Sequence, residues 1–509
     1  MSMNATLAIS SSEIGNINSQ LALISHNIAN AGTPDYAAEQ VDQTSLTTGG
    51  VGMGAAEGVV QRAVNLQMQA GVFTQNGTVA GLQTQQAALQ QIDAAQGAVA
   101  SGTDIGSLLG AMQDAFSTLQ TAPDNQTQQQ AVVASAQALA SQINTVSDAI
   151  GTQRQTAQNA VVSDVGQVNS TLATLGTLSD RIMQTQAQGI STADLQNQRD
   201  AAMDTLSQLV GVQYLQQPNG DLQVMTQSGT SLPIHGTSPP LSTAAATLGA
   251  TIYAPGGGVP AIMLDGQDVT GQLTGGTLGA NIQLRDTTLP TQQANLDEFS
   301  QTLASRFAAQ GLTLFSDADG NVASGGGTPA QAGYVGFASE IQVNPAVITT
   351  PAAVRDGNAT VAGSSSGATA FTPNPTGGAA GFTTLINRVL TYALGSDVQA
   401  GVAQPAPNVT GLGPSGTLGA GYAAATDLAG LATDVVSATA AQSSTVTSQL
   451  STAQGLQQTL QAQLASGSSV NLDQQMSQMI VLQNAYGANA RVMAAVQAMW
   501  TQLSQAVTT

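Results

Sequence analysis

Leu21-Ala22-Leu23-Ile24-Ser25-His26-Asn27-Ile28-Ala29-Asn30-Ala31-Gly32-Thr33-Pro34-Asp35-Tyr36 completes an apolar stripe and then breaks it. The stripe runs through Leu7, Ile14, Ile17, Leu21, Ile24 and Ile28, alternating steps of three and four residues with one polar omission at Ser10. That spacing is the seam of a helix that wants a partner helix. Asn30 to Gly32 then supplies a helix stop, and Thr33-Pro34 forces an extended exit, because a proline ring bars helical geometry in the residue before it. At the other extreme Met479, Leu482, Tyr486, Asn489, Met493, Val496, Trp500 and Leu503 keep the same alternation. The first seam spans about 33 Å at 1.5 Å per residue and the second is longer, so the two ends can pair with each other. Asn489 is the one polar member of its seam. It either penalises misaligned registers or turns aside to bond a neighbouring backbone.

Between these ends the placement of proline divides the chain. Of 17 prolines, all but Pro34 and Pro123 lie between Pro218 and Pro414, so a helical start and a helical end flank an irregular middle. The reading is an α+β multidomain protein: coiled-coil-like terminal helices, a helical-bundle domain and an inserted strand-rich outer domain. Residues 1–48 form the first axial helix and its exit, and 49–212 the first part of the helical domain. Residues 213–287 form a strand-rich insertion, on turn dipeptides such as Asn219-Gly220 and short runs such as Leu222-Gln223-Val224-Met225. Leu296, Phe299, Leu303 and Phe307 predict a helix over 288–312 that returns to the helical domain. Residues 313–420 form an outer strand- and loop-rich domain, in which Ala362–Gly381 and Gln404–Gly421 look like linkers. Residues 421–469 complete the helical domain and 470–509 form the last axial helix.

Composition removes much chemistry. The chain has 509 residues, a net charge of −20, 7% charged residues and no cysteine, against roughly 25% charged residues in an ordinary soluble protein. All nine cations are arginine. A phosphate-tracking groove, a Walker loop, a Schiff-base lysine and a thiolate nucleophile are therefore excluded. His26 and His235 do not stand at ligand spacing, and neither is read as a catalyst. Asp317, Asp319 and Asn321 imitate a calcium loop with a misplaced glycine and no distal Glu, and read as a solvated turn. Gly49 to Gly54 lacks the strand and acidic partner of a nucleotide loop and reads as a flexible connection. No catalytic, cofactor or metal site is expected, and no enzyme. Met1–Ser12 shows no cleavable signal, and no run reaches the ~20 apolar residues of a membrane span. Absent cysteine suits either a reduced cytosol or a chain that travels unfolded.

The segment Ile24 to Tyr36 resembles the N-terminal signature of bacterial flagellar axial proteins, the rod, hook and hook-associated group. Asn27, Asn30, Thr33, Pro34 and Tyr36 carry the likeness. Val470 to Met476 and Gln483 to Val492 resemble the C-terminal signature. Asp194-Leu195-Gln196-Asn197-Gln198-Arg199-Asp200 and Leu284-Arg285-Asp286 narrow it to the hook–filament junction branch, through Gln198, Arg199, Asp200, Arg285 and Asp286. After Tyr36 the chain departs from the family, with Ala37-Ala38-Glu39 where a basic or Gln-containing extension usually stands.

The resemblance implies a structural protein that joins hook to filament, an extracellular position on the flagellum, and export without a cleavable signal peptide. Implied partners are further copies of itself in a ring or helical polymer, the hook protein, the second hook–filament junction protein, an export chaperone and the flagellar type III export apparatus. Nucleic acid and membrane insertion are not among them. Alternatives are another axial protein, such as the hook subunit or second junction protein, or a junction protein whose outer domain also acts as an adhesin. The seams lead to one mechanical expectation: a lone chain leaves its terminal stripes unfinished, and neighbours complete them.

Overall fold

The computed structural model describes residues 3–33, 36–48, 51–97 and 101–507. Helix α1 (Met3–Asn30) is followed by strands β1 (Glu39–Gln40), β2 (Gln43–Thr48), β3 (Val51–Glu57) and β4 (Gln61–Arg62). Then come α2 (Leu66–Gln96), α3 (Ile105–Thr121), α4 (Gln126–Ala187) and α5 (Ala193–Leu209). Asn65, Asp104 and Asn125 open three of these helices, each accepting backbone N–H bonds from the first turn, as their short polar side chains favour.

The middle of the chain is far less sheet-like than its turns and short apolar runs predict. Strands β5 (Val212–Gln216), β6 (Leu222–Thr226) and β7 (Ser231–Leu232) form one three-stranded sheet. A second holds β8 (Leu241–Ser242), β9 (Met263–Leu264) and β10 (Gln267–Asp268). The expected strand-rich run to 287 ends early, because α6 (Gly276–Gln283), a π-turn (Leu284–Thr288) and α7 (Leu289–Ala309) form a nearly continuous helical rod. Its glycine-rich start serves close packing rather than a turn. Gly276 has a φ of +63°, and a Cβ there would fall 2.4 Å from the Leu209 carbonyl carbon. On α2, a Cβ at Gly77 would fall 2.3 Å from the Ser207 carbonyl oxygen.

Residues 313–420 hold only short pieces: β11 (Phe315–Ser316), α8 (Phe337–Glu340), β12 (Gln342–Val343), α9 (Pro345–Thr349), α10 (Ala353–Asp356), α11 (Thr384–Arg388), β13 (Asp397–Gln399), β14 (Val402–Ala403), β15 (Thr410–Leu412) and β16 (Leu418–Gly419). They do not enclose a core of their own. Leu314, Ile341, Val347, Val354, Phe371 and Leu385 join Phe116 of α3, Ile143 of α4 and Phe307 of α7 in a single core, with Leu431 of α12 (Leu428–Ser468) closing it. The two stretches read as linkers are fastened to it. Phe371 is buried under the Arg388 guanidinium, 5.3 Å from the ring centroid, and Leu412 packs on Ala294. The last helix, α13, spans Leu472–Val507.

Helix α4 is 62 residues long and serves two cores. Its first half packs in the core just described. Val161, Val165, Val168 and Leu172 pack in a second with α5, α6 and the two three-stranded sheets. A buried polar layer separates them. Arg154 donates to the carbonyls of Arg285, Gly249 and Ile252, and Arg285 donates to the Gln158 amide oxygen and to both carboxylate oxygens of Asp286.

In the first core Asp297 is buried and accepts bonds from the N–H groups of Gly336 and Ala338 and the Gln293 amide. Burial, opposed by those donors, pushes its carboxyl up to about 7. A raised folded-state value means the folded chain holds the proton over a range where the unfolded chain has lost it. Relative to Asp297→Asn, the wild type therefore loses stability as pH rises from about 4 to about 7 and no further above that. Urea unfolding of both proteins across this range checks the sign.

Candidate functional site: the paired ends and their joint

Helices α1 and α13 lie side by side. Asn27 near the end of α1 meets Gln475 near the start of α13, so the pair is antiparallel. At 1.5 Å per residue α1 is about 42 Å long and α13 about 54 Å, so α13 runs past the start of α1. The seam residues divide accordingly. On α1, Ile17 (2% exposed) and Ile24 are buried, while Leu7, Ile14, Leu21 and Ile28 are half-buried. On α13, Val496 is buried, and Met479, Leu482, Asn489 and Met493 are half-buried. Tyr486, Trp500 and Leu503 stand exposed, the last two at 54% each.

Two features lay outside the sequence reading. First, Gly49–Gly54 is not simply a connection: from Val51 onward it forms β3, which pairs with β2 and packs along α1. Gly49 and Gly50 lie outside the described residues. The hairpin's Ala55 carbonyl accepts from the Asn16 amide at 2.8 Å. Thus α1 is flanked by α13 and by a hairpin within one chain, which bury Ile17 and Ile24 and leave the other four seam members half-buried. Second, α13 carries more apolar surface than its seam. Leu472, Met476, Ile480, Val481, Val492 and Met499 are also exposed. They flank the heptad positions and were invisible to a search for a single stripe.

The motif at the end of α1 forms a clasp. Asn27 is 1% exposed, and its side chain acts as a strand edge: its amide nitrogen donates to the Glu39 carbonyl at 2.8 Å and its oxygen accepts the Glu39 N–H at 2.9 Å. The same oxygen accepts the Tyr36 hydroxyl at 2.9 Å. Asn30 donates to the His26 carbonyl and accepts from the Thr33 hydroxyl, tying off the last turn. Pro34 lies outside the described residues.

Across the clasp, β1 pairs with β4 in the register Glu39 to Arg62, and the Ala38 N–H donates to the Ser468 carbonyl at 2.7 Å, joining the exit of α1 to the end of α12. Arg62 donates to Gln196, Asn197 and Asp200 on α5, the last at 2.5 Å. Arg199 is buried and donates to the Gly220 carbonyl, its charge disfavoured by burial. Gln198 is exposed. The motif at 194–200 therefore receives the exit segment, whereas Arg285 and Asp286 sit elsewhere, in the polar layer between the cores. Pairwise spacing in the sequence held no sign of the Arg62 contacts, which span more than 130 residues.

His26 closes the joint. Its Nδ1 lies 3.3 Å from Glu39 Oε2 and 3.2 Å from the Tyr36 hydroxyl, and its Nε2 lies 3.7 Å from Asp194 Oδ1. Burial raises the Glu39 carboxyl, with His26 opposing it. Burial, then Glu39 and Asp194, raises the Tyr36 phenol.

The family model described as the flagellar hook-associated protein FlgK helical domain matches residues 89–323, and that of the flagellar basal body rod FlgEFG protein C-terminal region matches 461–506. The flagellar hook-associated protein 1 of Salmonella typhimurium is 27% identical over 315 residues, 59% of this chain and 55% of that protein. Its Bacillus subtilis namesake is 24% identical over 225 residues, 41% and 44% of the two chains. This chain thus spans about half the length of these curated relatives. A solved structure of the flagellar hook junction protein FlgK from Burkholderia pseudomallei aligns at 25% identity with a TM-score of 0.41, over 50% of this chain and 46% of that one.

Replacing Asn27 by Ala leaves both backbone groups of Glu39 without their partner and costs about 1–3 kcal/mol for each orphaned group. Asn27→Asp, which sets a carboxylate oxygen against the Glu39 carbonyl, is worse at pH 7 and recovers toward pH 4 as the new acid protonates. Equilibrium unfolding with hydrogen exchange at the Glu39 amide measures both.

Proposed function

Because the chain belongs to the flagellar hook-associated FlgK family, we propose that it is a structural junction protein of the bacterial flagellum, joining hook to filament by self-assembly through its terminal helices. The observation that carries the proposal is the unequal cover of the two ends. Within one chain α1 is walled on two sides, but α13 presents Tyr486, Trp500 and Leu503 exposed, in line with buried Val496, on a helix of 36 residues against the 28 of α1. Burying each large apolar side chain is worth about 1.5–3 kcal/mol, so a neighbour laid along this face gains several such terms. The same unlike-to-unlike contact repeated about an axis yields a ring or a helical polymer rather than a closed dimer.

On this reading Leu7, Ile14, Ile17, Leu21, Ile24 and Ile28 hold the intrachain pair, and the exposed members of α13 reach the next subunit. The hook protein and the second junction protein are the partners on either side. Export through the flagellar type III apparatus with a chaperone carries the chain to the extracellular surface. Among the described residues no helix is long and apolar enough to cross a membrane.

Trp500→Asp and Leu503→Asp change exposed positions, so the purified chain keeps its thermal midpoint and its helicity. In cells each variant is expected to abolish incorporation at the hook–filament junction, with filament loss and no swimming. Normal flagella from both variants would sink the interface assignment. Leu482→Asp, inside the pair, is expected to lose incorporation and also to loosen α13, seen as faster amide exchange.

A further inference from the structure

Glu39 is unusual among the buried acids of this chain. It is 8% exposed, and its Oε1 is buried without a hydrogen-bond partner. Buried Asp297 and Glu298, by contrast, are surrounded by donors: Gly336, Ala338 and Gln293 for the first, Tyr334, Asn408 and Gln331 for the second. The Arg62 guanidinium offsets Glu39 only weakly, less than His26 does. Arg62 is its partner in the β1–β4 ladder, but the Arg62 side chain is committed to α5. What faces the Glu39 carboxylate is His26, and beyond it Asp194, 64% exposed in the first turn of α5. For a buried carboxylate with an idle oxygen, beside an imidazole and a second carboxylate, burial outweighs the positive charge nearby.

We propose that His26, Glu39 and Asp194 form a binding site for a divalent transition-metal ion of the zinc class. One ring nitrogen of His26 and one oxygen from each acid lie within 4.8 Å of one another, and among the described residues this is the one group of three that does so. Zinc bound at about 2.0–2.2 Å to nitrogen and oxygen needs its ligands roughly 3.3–3.5 Å apart. His26 Nδ1 already stands 3.3 Å from Glu39, whereas Asp194 now faces the other ring nitrogen, Nε2, at 3.7 Å; within the 4.8 Å that holds the group together, its exposed side chain swings to the Nδ1 side to complete the set. A mixed imidazole–carboxylate set favours zinc-like ions over calcium or magnesium, which prefer oxygen alone. Water takes the fourth position. Neither metal-ligand spacing nor a motif marks the site, because its ligands come from α1, β1 and α5.

The ion would tie the end of the axial helix and its exit strand to the helical domain, fixing the angle at which the paired ends leave the body. Its existence does not depend on the junction role, since binding is measured on the purified full-length chain.

The test is titration of metal-stripped protein with Co2+ and then Zn2+. One Co2+ per chain is expected to bind with a visible absorption band, and Zn2+ to displace it. Binding should weaken from pH 7.5 to pH 5.5 as protons compete for the imidazole. His26→Gln and Asp194→Asn, at half-exposed and exposed positions, should each weaken binding roughly tenfold or more. His235→Gln should leave it unchanged, because His235 lies outside this group of three ligands. Zn2+ should raise the thermal midpoint of the wild type and not that of Asp194→Asn. Absence of saturable binding, or His26→Gln binding as tightly as the wild type, overturns the site. Either result leaves the junction assignment to its own test.

Discussion

A single fastening determines how this chain is organised: the polypeptide leaves the axial pair and returns to it at one point. Ala38 donates to Ser468, Asn27 holds Glu39 by both backbone groups, and Arg62 pins the adjoining strand to α5. Once the body has brought these segments together, α1 and α13 are joined to it by only a few residues each. The closure entropy of the intervening chain is then already spent by the folding of the body, so the pairing of the ends needs to offset only their own ordering. The antiparallel arrangement follows directly, because α1 arrives at the fastening and α13 departs from it.

The body meets a different constraint. Long irregular stretches have backbone groups that need partners, and the sheets here are too small to supply them. Arginine takes over that task. Arg154 gathers the carbonyls of Gly249 and Ile252, Arg199 that of Gly220, and Arg388 those of Gln310 and Thr369. A guanidinium presents five donors in a rigid fork that no lysine reproduces. A chain whose nine cations are all arginine, most of them buried, is using charge for internal bracing.

This explains which parts of the fold were legible. Apolar periodicity reports local geometry, so the two terminal seams and the helix carrying Leu296, Phe299, Leu303 and Phe307 could be read directly. The middle could not. Gly275, Gly276 and Gly279 resemble turn chemistry, and only the distant backbone of Leu209 reveals that Gly276 is there for contact. Likewise Phe371 and Leu412 sit in segments whose composition is that of a linker, yet each side chain reaches a core made elsewhere. At the joint, Asn27 and Asp200 carried a recognisable motif, whereas Glu39, Arg62 and His26 acquire meaning only when three elements converge.

Charge placement is compatible with the proposed assembly through the ends. The chain bears −20, which sets copies against one another at any distance inside a Debye length of about 8–10 Å. Yet α1 contains one acid, Glu13, and α13 one opposite pair, Asp473 and Arg491. The axial pair is therefore almost neutral while the body holds nearly all of the excess. Copies packed by their ends bury uncharged apolar and amide surface, and their bodies repel outward. In the proposed assembly, such a distribution favours terminal helices at the inside of an array with the acidic bodies around it, with no interhelical salt bridge needed to choose the partner.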